Sequence, residues 1–285
     1  MLFLILSILC SVTVGIIFKI SRNYTVNIKQ IISWNYIFAL LLCYTSFSPD
    51  LKAIDSTAPW NIYIPLGILL PAVFLILAMS IKQMGIVKTD AAQRLSLFIP
   101  ILAAWLLFEE EFNKLKIIAF FIALAALLLI LSKREENANN KWIYPALVLL
   151  GFGIIDVLFK QISLYTSLPY TSSLFIIFCI AMTLMALVIT YEVVFKKTKL
   201  KAVNFIFGGL VGVFNFGNIL FYLKAHKAFS DNPSTVFAAM NMGVIILGSL
   251  AGIFLFKEKL SKRNYLGLFL ALIAIVLIVL SQIYN

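Results

Sequence analysis

Residues 107–132 read LFEEEFNKLKIIAFFIALAALLLILS, and residues 255–280 read LFKEKLSKRNYLGLFLALIAIVLIVL. The two stretches align without a gap at an offset of 148 residues, and ten of 26 positions are identical. Leucine-rich segments coincide by composition alone, so the polar and aromatic identities carry the weight: Phe108 with Phe256, Glu110 with Glu258, Lys114 with Lys262. A shorter echo relates Ile17-Phe18-Lys19 to Leu158-Phe159-Lys160 at an offset of 141. A chain built twice from one unit predicts two halves packed around a shared site, an organisation found in many secondary transporters.

Composition sets the class. The chain is 62% hydrophobic and 12% charged, with a mean hydropathy of +1.04. A soluble domain of 285 residues could not hide that much apolar surface. Apolar runs of about 20 residues match the ~30 Å hydrocarbon thickness at 1.5 Å per helical residue. The runs are continuous rather than alternating, which points to helices and away from a barrel. The first run starts at Met1 without a basic region or a small-residue cleavage site, so it reads as a retained span.

Ten spans are predicted, over roughly 1–19, 31–47, 60–83, 90–108, 115–132, 142–162, 171–194, 203–224, 234–256 and 264–282. The connections are short, and the polar stretch Ser132–Lys141 (SKREENANNK) is the natural joint. The expected fold is therefore an all-α polytopic membrane protein. Its ten transmembrane helices form two five-helix inverted repeats, residues 1–132 and 142–285, joined by 133–141 around a central cavity. Pro65, Pro71 and Pro100 fall inside spans, where a proline kinks a helix or frees a carbonyl. Gly208 and Gly212, like Gly248 and Gly252, have the GxxxG spacing of close helix packing.

Several function classes find no support. Cys10, Cys43 and Cys179 lie in separate runs, and His226 is the single histidine. No triad, phosphate-binding glycine loop or metal constellation is present, so neither enzyme activity nor a cofactor or metal is expected. The net charge of +11 is carried by loops at span edges, where it orients helices against headgroups rather than binding nucleic acid. Of the 23 Lys and Arg, 16 fall in the odd-numbered connections and six in the even-numbered ones. The positive-inside rule alone places the 16 in the cytoplasm and both termini outside.

Polar residues inside spans are expensive in lipid and mark candidate sites. Asp156 and Lys160 are four residues apart in the sixth span, on one helix face. They read either as a neutralising pair or as a cavity-facing carboxylate with a lysine that snorkels to the interface. In the eighth span, Asn215, Asn218 and Tyr222 form one stripe that His226 extends. The two amides either bond neighbouring helices or line an aqueous cavity. Gln93 and Asn241 are related by the 148-residue offset, and Arg94 beside Gln93 either holds a carboxylate or phosphate or anchors a helix end. Lys82 and Lys224 read as interfacial, and Glu109, Glu110, Glu111 and Glu258 as helix-end and loop residues.

Two five-span halves, each with an acidic residue between its last two helices, resemble the drug/metabolite transporter superfamily. The stretch 255–279 is similar to the segment closing an EamA-type repeat. Glu258 stands at the acidic position, Lys257 where that family usually has glycine, and Glu109 precedes Glu110 in the same way. The resemblance implies a carrier of small metabolites, with export of amino acids or related solutes among the expectations. It also implies a cavity lined by spans 1, 3, 4, 6, 8 and 9, and both termini in the cytoplasm of a bacterial inner membrane, against the charge count. The leading expectation is a secondary transporter of a small polar metabolite working by alternating access. Its partners would be the solute, membrane lipids and a coupled proton or ion. A lipid-linked flippase and a non-transporting scaffold or receptor are the alternatives. The expected substrate-binding residues are Asp156, Asn215, Asn218, Tyr222 and Asn241, with Gln93, Arg94 and Lys160 as weaker members.

Overall fold

Backbone groups in hydrocarbon must be paired within their own segment, and the apolar runs achieve this as helices. The computed structural model describes residues 1–49, 58–84, 86–130, 141–165, 169–257 and 261–283. Among these, eleven helices occupy the ten runs. They are α1 (Leu2–Ser21), α2 (Ile28–Phe47), α3 (Trp60–Met84), α4 (Ile86–Leu95), α5 (Phe98–Leu106), α6 (Lys114–Ile130), α7 (Ile143–Leu164), α8 (Tyr170–Val194), α9 (Ala202–Ala228), α10 (Pro233–Phe256) and α11 (Lys262–Ile283). Among the described residues, eight of them, α1–α3 and α7–α11, are long and apolar enough to cross a membrane. Residues 132–140 of the expected joint, and Glu258, lie outside the described residues.

The fourth run corrects the expectation of one continuous span over 90–108. It is two short helices, α4 and α5, parted at Ser96 and Leu97. Pro100 supplies the reason. It has no N–H to give the Ser96 carbonyl, and its ring crowds that carbonyl four residues back. The Ser96 carbonyl accepts instead from the Ile99 N–H at 3.0 Å, while the Ser96 hydroxyl donates to the Gln93 carbonyl at 2.6 Å. The break falls beside Gln93 and Arg94.

The helix pairings cross between the halves of the sequence. α6 packs along α11, α2 along α9 and α8, α1 along α9 and α10, α3 along α7 and α8, and α4 and α5 along α7. Polar contacts place the helix ends. At the end bearing Arg22, Lys29 Nζ donates to Glu192 Oε1 at 2.6 Å, and the Asn27 N–H donates to Asn204 Oδ1 at 3.0 Å. Lys141 Nζ donates there to Gln83 Oε1 at 3.3 Å. At the other end, bearing Glu110, the hydroxyls of Tyr63 and Ser173 meet at 2.7 Å and join the starts of α3 and α8. Large apolar side chains such as Phe121, Leu187, Phe254 and Phe269 remain on the outside, as lipid contact requires.

The two GxxxG pairs differ. In α9, a Cβ on Gly212 would lie 2.7 Å from Phe38 Cβ and 2.8 Å from the Asn35 carbonyl, and one on Gly208 would lie 2.9 Å from the Ile31 carbonyl. These glycines let α9 approach α2, as the spacing suggested. Gly248 has nothing within 4 Å, and with Gly252 it borders a cavity, so the packing expectation is corrected for Gly248. Gly212→Leu should therefore destabilise by about 1–3 kcal/mol or more through overpacking, while Gly248→Leu keeps its melting temperature. Thermal unfolding of both variants in detergent checks this contrast.

Two residues at the 148-residue offset share an unusual backbone conformation. Glu109 has φ of +52° and Lys257 φ of +53°, at the 148-residue offset. Left-handed backbone favours glycine, which accounts for glycine at this position in the family the chain resembles. Glu109→Gly should raise stability by about 1 kcal/mol by relieving the Cβ clash. An unchanged or lower melting temperature would show that the Glu109 side chain makes a compensating contact.

Candidate solute-binding cavity

A cavity of about 710 Å³ lies among α1, α3, α4, α9 and α10. Arg22 and Val26 in the α1–α2 turn border it, so it reaches the surface at the Arg22 end. A smaller chamber of about 150 Å³ continues inward. Ser11, Gln93, Arg94, Asn215 and Asn218 line both, which makes them one space. Volumes of roughly 300–1,000 Å³ are typical of sites that hold one small molecule.

Seven of the eight residues singled out in the sequence line the inner chamber: Gln93, Arg94, Asp156, Asn215, Asn218, Tyr222 and Asn241. They come from α4, α7, α9 and α10. The α9 amides bond neighbouring helices and also border the chamber. Asn215 Nδ2 donates to Asn35 Oδ1 of α2 at 3.1 Å, and Asn218 Oδ1 accepts from the Ser7 hydroxyl of α1 at 2.8 Å. Each amide thus spends one group on a neighbouring helix and keeps another at the cavity. Tyr222 donates its hydroxyl to Asp156 Oδ1 at 2.9 Å, and Asn241 Nδ2 donates to the Phe237 carbonyl at 3.0 Å, leaving its oxygen available.

Lys160 is the exception. It is buried, does not line the chamber and does not pair with Asp156. Its Nζ donates to the Ser230 carbonyl in the α9–α10 turn at 2.6 Å and lies 5.9 Å from the Phe108 ring centroid. Sharing a helix face did not make the two residues partners, because a lysine stem reaches a full turn along the helix. The carboxylate takes the Tyr222 hydroxyl instead.

Beyond Asp156, the described residues at the Glu110 end make buried polar contacts. Glu110 and Lys116 are buried at the Glu110 end. Lys116 Nζ donates to Glu110 Oε1 at 2.7 Å and to Asn232 Oδ1 at 2.9 Å. Glu110 also accepts the Ser234 N–H at 2.8 Å and the Ser234 hydroxyl at 2.5 Å, capping the start of α10. Sequence reasoning placed Glu110 correctly in a loop and missed its burial.

Ser11, Ser96, Ser249, Lys19 and Arg22 also border the cavity and were not among the expected site residues. Lys19 has its Nζ 3.9 Å from the Phe256 ring centroid at the mouth. A signal for it did exist. Lys19 and Lys160 are equivalent at the 141-residue offset, and Phe256 and Phe108 at the 148-residue offset, so the two lysine–ring contacts are each other's repeat images.

The comparisons with known proteins agree with this architecture. Residues 1–132 match the EamA-like transporter family. Over 284 residues the chain is 42% identical to an uncharacterised protein of Haemophilus influenzae, with 95% of each chain covered. Over residues 1–132, then, this is an EamA-like transporter sequence. It is also 28% identical over 137 residues to the uncharacterised transporter YyaM of Bacillus subtilis, covering 47% of this chain and 43% of that one. A solved crystal structure superposes with a TM-score of 0.72 at 13% identity, over 100% of this chain and 98% of its own, which shows a shared fold. As an EamA-like transporter with eight membrane-length apolar helices among its described residues, the chain is a multi-pass integral membrane protein.

Proposed function

We propose that this EamA-like protein is a secondary carrier of a small polar metabolite. It crosses the membrane ten times as two inverted five-helix repeats, 1–132 and 142–285, and works by alternating access. The observation that carries the reading is the one-sided cavity. A polar chamber bounded by the broken α4–α5 run opens at the Arg22 end and is closed at the other by buried polar contacts. Broken helices at a repeat interface are a recurring way to offer backbone and side-chain donors to a solute at mid-membrane depth.

Matched pairings support the inverted repeat. α1 with α9 and α10 corresponds to α7 with α3 and α4–α5, and α2 with α9 corresponds to α8 with α3. The crossed contacts of Lys19 with Phe256 and Lys160 with Phe108 follow the same exchange. One lies at the open mouth and the other in the closed end, as expected of two gates of which one is open.

A thermal-shift screen of the purified protein against a metabolite library tests the reading, because a solute that binds the folded state raises its melting temperature. Transport of each hit into proteoliposomes should follow. Binding without transport would favour a receptor. On the resemblance, both termini are placed in the cytoplasm, which turns the open mouth outward; the 16 basic residues at the mouth end argue for the reverse. A reporter fused after Asn285 is expected to be active in the cytoplasm, and activity outside would show that the loop charges set the orientation.

A further inference from the structure

His226 is fully buried, and neither of its ring nitrogens has a hydrogen-bond partner among the described residues. It packs by its faces and edges instead, with ring centroids 4.6 Å from Tyr222 and 4.8 Å from Phe237. A buried imidazole with both nitrogens unsatisfied is costly, and packing alone would be served better by phenylalanine or leucine.

The surroundings of the ring suggest what it does. Asp156 and Lys160 are one turn apart on α7, and Tyr222 and His226 are one turn apart on α9, the helix that packs against it. The first member of each pair meets the other at the cavity floor, through the Tyr222–Asp156 hydrogen bond at 2.9 Å. The second members lie deeper, toward the closed end. Lys160 reaches the Ser230 carbonyl, and the exposed Ser230 hydroxyl donates to Asp231 Oδ1 at 3.2 Å. The charged groups facing this column are Asp156 and Lys160 from α7, Asp231 from the α9–α10 turn, and Glu110 with its partner Lys116 from the α5–α6 side. α10 presents the uncharged Phe237.

We infer that Asp156, Tyr222, His226 and Lys160 form a proton path between the closed end and the floor of the cavity, with His226 as the transfer residue and the proton as the coupled ion. Chains of carboxylate, histidine and other titratable groups serve this purpose in membrane pumps and carriers. The transfer balances. The Lys160 ammonium gives a proton to one imidazole nitrogen, and the other nitrogen releases its own to the Tyr222 oxygen. The Tyr222 hydroxyl proton then passes to the Asp156 carboxylate. An excess proton delivered from bulk solvent at the exposed Ser230–Asp231 turn reprotonates Lys160, so one positive charge has moved inward and one carboxylate has been neutralised. Rotation of the unanchored imidazole about its side-chain bonds restores the starting tautomer. A ring held by two hydrogen bonds could not turn in this way.

This inference rests on the carrier reading for its purpose, and its test does not. His226 is the single histidine, so histidine labelled with ¹⁵N reports on this ring alone in the full chain embedded in lipid nanodiscs. The measurement is the exchange rate of the ring N–H with water, with no solute present. The wild-type ring should exchange faster than the backbone amides of α9 around it. Tyr222→Phe and Lys160→Met should each slow the exchange ~10-fold or more, since each removes a link whose loss raises the barrier. Should Tyr222→Phe fold poorly, Asp156→Asn reads the same link. A wild-type ring protected like its neighbouring amides would overturn the path, and so would a rate indifferent to both Tyr222→Phe and Asp156→Asn. Either result would leave solute binding in the thermal-shift screen unaffected, so failure of the path and failure of the carrier reading are separately visible.

Discussion

Lys116→Met should destabilise the protein by about 3–5 kcal/mol, enough to appear as lost folded material, because it strands the Glu110 carboxylate in a buried site. Both side chains are essentially inaccessible, and their atoms meet at 2.7 Å. Glu110 would keep the Ser234 N–H and hydroxyl, two neutral donors, without a cation to balance its charge. Asn232 would lose its partner too, which loosens the turn leading into α10. Glu110→Gln strands the lysine instead and should cost a comparable amount. The double variant Glu110→Gln/Lys116→Met removes both charges and should recover much of the loss, because the pair's attraction only roughly repays its desolvation. Melting curves for the four proteins give the coupling directly. If both single variants melt like wild type, the site is wetter than its burial indicates, and the closed end is held by apolar packing alone.

The same cluster shows where sequence reasoning reached its limit. The repeat drew attention to Glu110 because Glu258 stands at the equivalent position, yet an acid between two spans reads as a solvated loop residue. Its burial depends on α6 and α10 coming together over it, and spacing along one strand of text does not encode that. For Asp156 and Lys160 the sequence left two readings open for a related reason. Helical spacing predicts that two residues share a face, and it does not choose between each other and a neighbour as partner. The α9 stripe was legible because a polar stripe on an apolar helix has few explanations and its period is the helix's own. Pro100 was recognised as a disruption, but only the Ile99–Ser96 bond shows that the helix parts into two. Lys19 and Arg22 looked like interfacial charges, since a cavity mouth and a headgroup layer lie at the same depth. Gly248 shares its spacing with Gly208 and Gly212, and faces a void where they face α2.

Asn218→Leu should weaken solute binding roughly 5- to 150-fold while leaving the fold largely intact, and the reason lies in Ser7. The Ser7 hydroxyl donates to Asn218 Oδ1 at 2.8 Å and lies 3.0 Å from the Asn218 backbone carbonyl. Removing the amide therefore leaves the serine an acceptor that no substitution at position 218 can take away. The folding cost is then a single neutral hydrogen bond, about 1 kcal/mol, offset in part by the apolar character of leucine. The solute loses more. Asn218 lines both the outer cavity and the inner chamber, so an isobutyl group there meets every molecule that enters. A missing hydrogen bond to an uncharged polar group, with a desolvated solute atom left unpaired, costs about 1–3 kcal/mol, or roughly 5- to 150-fold in affinity. Asn215→Leu is the informative contrast. It breaks the buried bond to Asn35 and leaves that amide without its donor, so it should lower the melting temperature as well as binding. Titration of the best metabolite hit against wild type and both variants, with melting temperatures measured beside it, separates the two effects. Wild-type affinity in Asn218→Leu would mean that the solute does not pass this wall, and the site would have to be sought nearer the mouth, at Lys19 and Arg22.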